Sequence, residues 1–203
     1  MKASLNRDAL KELADFFGLN SPPYNAIVAA AERSSFLAAE LNAFAKLKGW
    51  EFARAEEGKG VCADPKNKII AFDPSWSEPA NIFATTLAHE LGHALLLGGT
   101  GGSLVLDPDQ AVANGLTNEG VALLSEYIVA IQLGLTGGAA GHMHSDLSDS
   151  RLTLQLNQLA LSAGIGVKNV TWGGAVAQVL ANPGRAFVDA AGKYYGTLAP
   201  SVT

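Results

Sequence analysis

The chain has 203 residues, 48% of them apolar and 16% charged, with a net charge of −5 and no basic cluster. That length and composition describe a compact fold burying about 70% of the extended chain's surface, and they argue against a disordered tail, a nucleic-acid binder or an anionic-membrane binder. The single cysteine, Cys62, rules out an internal disulfide, and no apolar run reaches the length that spans a bilayer.

The N-terminal segment mixes acidic and basic residues and lacks the apolar centre of a signal peptide. The expected setting is therefore the cytoplasm, or delivery without a cleavable leader as part of a larger effector. Asp8 to Phe17 has helical spacing through Leu10, Leu13 and Phe16 or Phe17, and stops at Gly18. Ser21 is a candidate cap, with Pro22 and Pro23 opening a new helix. From Tyr24 to Lys48 a long apolar stripe runs through Ile27, Ala31, Phe36, Leu41 and Phe44, so residues 1–48 form a helical layer.

The period then changes. Trp50–Ala55, Gly60–Asp64 and Lys68–Asp73 are short strand-like runs, and "PKN" between the last two predicts a tight hairpin. Cys62, inside the second run, is expected as a small buried hydrophobe. Ser77 is a candidate cap and Pro79 a first-turn residue for the helix that follows, Ile82 to about Gly98. Gly98–Gly115 predicts a glycine-rich loop, and Thr117 or Asn118 then caps a helix to about Leu135. Thr136–Asp149 is a second polar loop, and Arg151–Tyr195 predicts two or three helices broken near Trp172. The order is helices, a small antiparallel sheet, then helices: a single α+β domain, with residues 1–48 as helical layer, 49–135 as sheet and site helices, and 136–203 as C-terminal helices.

Within "IFATTLAHELGHALLLGG" three ionisable residues interrupt an otherwise apolar helix. His89 and His93 lie four apart, one helical turn on the same face, where one metal ion can accept both rings. Glu90 projects about 100° round the axis and can reach a metal-bound water without being a ligand. This is the H-E-x-x-H arrangement, in which zinc acidifies a water and the glutamate takes its proton. Gly92 costs helix stability, about 1 kcal/mol against alanine, so close approach by a neighbouring backbone is expected there. A tetrahedral catalytic site needs a third protein ligand. Glu119 and Glu126, seven apart on the next helix, look to nearly the same side, and either would complete the set.

"HELGH" followed by "TNEGVALLSEY" resembles the gluzincin zinc metallopeptidases, and most of all the Asn-Glu-Gly ligand helix of the M1-type aminopeptidases, over about Ala84 to Tyr127. The resemblance implies a zincin-like fold with one Zn2+ per chain. It makes Glu119 the ligand beside His89 and His93, and Glu90 the general base. It leaves Glu126 outside the ligand set, as a hydrogen-bond partner of a ligand histidine or as the alternative ligand. It also implies an extended substrate paired with an edge strand above the motif helix, and Lys68–Asp73, the strand nearest in sequence, is the candidate edge.

His142 and His144, with Asp146 nearby, are candidates to stabilise an oxyanion and further alternatives for the metal. Tyr127, Tyr194 and Tyr195 are other candidate donors. The expected activity is hydrolysis of a protein or peptide by a narrow-specificity endopeptidase, a regulator-cleaving enzyme or a toxin-like effector. The competing readings are a metal amidase acting on cell-wall peptide and a non-catalytic, metal-stabilised binding module. Glu90 argues against the last, since a site that only holds metal does not need that carboxylate.

Overall fold

The computed structural model describes residues 4–75, 79–100 and 108–135. Among them the elements run α1 (Arg7–Phe17), α2 (Pro22–Arg33), α3 (Ser35–Phe44), β1 (Glu51–Arg54), β2 (Val61–Asp64), β3 (Ile69–Phe72), α4 (Ala80–Thr100) and α5 (Pro108–Gln132). The α+β class follows: five helices accompany one three-stranded sheet, which packs against α1 and α4.

The N-terminal layer is helical, but the stripe from Tyr24 to Lys48 is divided. Ser34 adopts extended backbone (φ −111°, ψ 106°), and its hydroxyl accepts the Leu37 N–H, capping α3. Apolar periodicity runs through such a break because both helices present apolar faces to one core. Asn6 and Ser21 cap α1 and α2 in the same way.

The sheet order is β1-β3-β2, with β1 parallel and β2 antiparallel to β3. The sheet is therefore mixed rather than antiparallel throughout. Its hairpin turn is built on Asp64, whose carboxylate accepts the N–H groups of Lys66 and Asn67 and the Asn67 side-chain amide. These bonds, the Asn67 side chain first, hold the Asp64 carboxyl below the usual carboxylate range. The register places Ala63 opposite Ile70 and Cys62 opposite Ala71. β3 is the central strand, so Lys68–Asp73 is not the edge that sequence proximity suggested. Paired on both sides, with Ile70, Ala71 and Phe72 buried, it leaves no apolar edge exposed. Among the described residues, β2 is the strand beside the motif helix that pairs on one side only.

Phe16, Phe17, Phe44, Phe52, Phe72 and Phe83 join α1, α3, the sheet and α4 in one aromatic cluster. Its ring centroids are 4.6 Å (Phe44–Phe52) to 5.9 Å apart. From Phe83 to Leu95 every residue of α4 is buried, as a helix apolar on all sides requires. α4 touches α2, α3, α5, β2 and β3, so it is the axis of the fold.

α4 continues through Thr100, and α5 begins at Pro108 rather than near Thr117. Much of the expected Gly98–Gly115 loop is thus helical, and Thr117 and Asn118 are interior positions. Pro108 at the first helical position, followed by Asp109, is the start signal that the glycines obscured. Pro79 stands at the start of α4, where its carbonyl accepts the Phe83 N–H. Ser77 lies outside the described residues, as do the second polar loop and the C-terminal helices expected over 136–203.

Candidate metal centre

The site is a seam between α4 and α5, the most extensive helix pair of the described fold. A Cβ on Gly92 would stand 2.8 Å from the Ala122 Cα and 3.0 Å from the Ser125 Oγ. No alanine tolerates that, so the glycine is the residue that lets the helices close. Matching positions one turn apart face each other: His89, Gly92 and His93 on α4, and Ala122, Ser125 and Glu126 on α5.

His89 (3% exposed), His93 (9%) and Glu126 (0%) are enclosed in this seam. Glu126 Oε2 lies 3.1 Å from His89 Nδ1. The carboxylate accepts from an Nδ1–H and fixes that tautomer, which leaves the His89 Nε2 lone pair pointing away from α5. It points at His93 Nε2, 3.1 Å away. Two nitrogens held at about 2.0–2.1 Å by one tetrahedral ion stand about 3.3 Å apart. The two ring nitrogens thus stand near the separation that two imidazole ligands of one tetrahedral ion would have. Glu126 is placed behind His89, the position from which a carboxylate orients an imidazole ring.

Among the described residues no group of three or more His, Cys, Asp or Glu is arranged to hold a metal. Glu119 is on α5, two turns before Glu126 and at nearly the same azimuth, and its side chain is outside the described set. His142, His144, Asp146, Tyr194 and Tyr195 lie outside it as well. Tyr127 is a packing residue: it is buried in the core, and burial pushes its phenol up to about 12.

Glu90 is 4% exposed, and its Oε2 accepts the Ala63 N–H of β2 at 2.7 Å. That backbone donor could not be read from side-chain types, since any residue at position 63 would supply it. The bond aims Glu90 away from α5 and toward the sheet edge, beside the histidine pair. Cys62, on the same strand, is exposed rather than buried. Partial burial, then the nearby Glu90 and Asp64 charges, push its thiol up.

Comparison of the chain with protein-family models, curated proteins and solved structures returns no match. No helix of the described residues is long and apolar enough to cross a membrane.

Proposed function

We propose that this protein is a zinc-dependent peptidase, and that it acts as a narrow-specificity endopeptidase of the regulator-cleaving or effector kind. The observation that carries the reading is the pair of Nε2 atoms 3.1 Å apart with Glu126 on the far nitrogen of His89. Burying three ionisable side chains on one apolar helix is costly unless a cation compensates them. His89 and His93 would hold the ion and Glu119 would complete the set, with Glu126 orienting His89. A bound zinc ion supplies Lewis acidity, acidifying water and polarising a carbonyl oxygen.

Glu90 is the proton carrier. Its carboxylate takes a proton from the attacking water and returns it to the departing nitrogen. The Ala63 N–H holds Glu90 in one orientation. An extended peptide would lie along β2, which among the described residues pairs with a strand on one side only, and strand addition beside the Ala63–Glu90 bond would set the register of cleavage.

The test is zinc per chain by elemental analysis on wild type, Glu119→Ala and Glu126→Gln purified identically. About one zinc is expected in wild type and well below one in Glu119→Ala. Glu126→Gln should keep the site with affinity weakened roughly 10–100-fold. No zinc in wild type, with none taken up on addition, would end the peptidase reading.

A further inference from the structure

Glu40 is outside the site just described, and no motif points to it. It sits on α3 one turn from both Phe36 and Phe44, on the buried face, and is 0% exposed. Neither of its carboxyl oxygens has a hydrogen-bond partner among the described residues, and the same is true of the Ser125 hydroxyl on α5. Yet Ser125 is the one polar side chain that acts on Glu40, close enough to oppose the burial that pushes its carboxyl well above the usual carboxylate range. An ionised carboxylate so enclosed is costly, and burial pushes Glu40 toward the neutral acid. The acid has an O–H to donate and the serine can both donate and accept. A hydrogen bond between the two would satisfy both orphaned groups.

Ser125 stands where three helices meet. It faces Glu40 on α3, packs against Gly92 on α4 and immediately precedes Glu126, the partner of His89. We propose that Glu40 is a positioning residue: by holding Ser125 from the α3 side it seats α5 on α4 and keeps Glu126 against His89. The importance of that last contact for metal binding rests on the peptidase reading, whereas the contact itself does not.

The arrangement makes the seam sensitive to pH from behind the site. Around α3, Asp8, Lys11 and Asp15 of α1 and Glu32 and Arg33 of α2 are exposed. Glu12 is half-buried and Tyr24 buried, while α4 carries His89, Glu90 and His93 and α5 carries Glu126. Burial is the first cause of the raised proton affinity of Glu40, and Ser125 opposes it. The folded-state pKa is raised above an unfolded value of about 4.3. The stability that Glu40 contributes is therefore full below that value and is lost as pH rises through the folded pKa.

The experiment uses the full chain free of metal, as wild type, Glu40→Gln, Glu40→Leu and Ser125→Ala. Thermal midpoints are taken at about pH 5 and about pH 8, and the His89 ring tautomer is read by nitrogen NMR at about pH 7. Relative to wild type, Glu40→Gln should gain at least about 3 °C between the two pH values, because glutamine cannot ionise. Glu40→Gln should also keep the His89 proton on Nδ1, while Glu40→Leu and Ser125→Ala should lower that tautomer's ratio at least about threefold. Should Glu40→Leu fail to fold, Ser125→Ala carries the same arm. An unchanged tautomer in the folded members of this pair, or a wild-type pH slope retained in Glu40→Gln, overturns the proposal. Zinc uptake by wild type is scored separately, so its absence beside the expected tautomer changes would remove the peptidase reading alone.

Discussion

The two ends of the described fold bury their side chains by opposite rules. Around the sheet, α1, β1, β3 and the first turns of α4 meet through Phe16, Phe17, Phe52, Phe72 and Phe83, large rings with no polar atom to satisfy. Along the α4–α5 seam the contact is made by a glycine, an alanine and a serine, and the groups enclosed are His89, His93, Glu126 and, behind them, Glu40. A ring cluster gains free energy from burial alone, whereas enclosed ionisable groups cost free energy until each finds a partner. Where a chain breaks the apolar rule at one seam and obeys it elsewhere, that seam is the place to look for chemistry.

The contrast can be broken by substitution, beginning with the deepest cut. Glu90→Gln keeps the size and removes the charge. Peptide hydrolysis is expected to fall roughly 10²–10⁴-fold, with zinc per chain and thermal midpoint close to wild type. A variant as active as the parent would leave Glu90 without a role in proton transfer.

Next comes a pair read by urea unfolding and zinc titration together. Phe72→Ala should cost about 3–5 kcal/mol through the cavity it leaves, with zinc affinity kept in the folded fraction. Gly92→Ala should cost only about 1–3 kcal/mol but weaken zinc more, since its Cβ forces α5 away from α4. If both variants bound zinc equally well, the distinction between a stabilising end and a functional seam would collapse. The smallest change is Ser34→Ala, which removes the α3 cap and a bond to Gln132. About 1–2 kcal/mol is expected from thermal melts, with no change in zinc affinity.

Much of this layout was legible in the residues. Alternation and the hairpin turn gave three strands within a residue or two of their ends, and Gly92 signalled the close approach it makes. The histidine pair and Glu90 were legible because helical geometry is local: four residues always return to one face. What escaped depends on partners far along the chain. The central place of β3 is decided by β1, which pairs with it across the intervening hairpin. Cys62 is small and apolar enough to be buried, yet it is exposed on β2 although its partner Ala71 on β3 is buried. Glu40 was passed over within an apolar stripe, although an acid spaced four from Phe36 and four from Phe44 was itself a signal. The start of α5 was hidden because glycines invite a loop reading that tertiary packing overrides.

The junction of α2 and α3 has a consequence for the order in which the molecule assembles. Arg33 donates to the Leu133 carbonyl, while Gln132 takes bonds from the Ser34 hydroxyl and the Phe36 N–H, joining points 96 to 100 residues apart. Closing so long a loop is entropically unfavourable, and contacts of that range slow folding. During synthesis the aromatic end is complete before α5 has been made, so α4 must wait with its polar face uncovered. The seam that encloses the histidines thus forms only when α5 docks on α4.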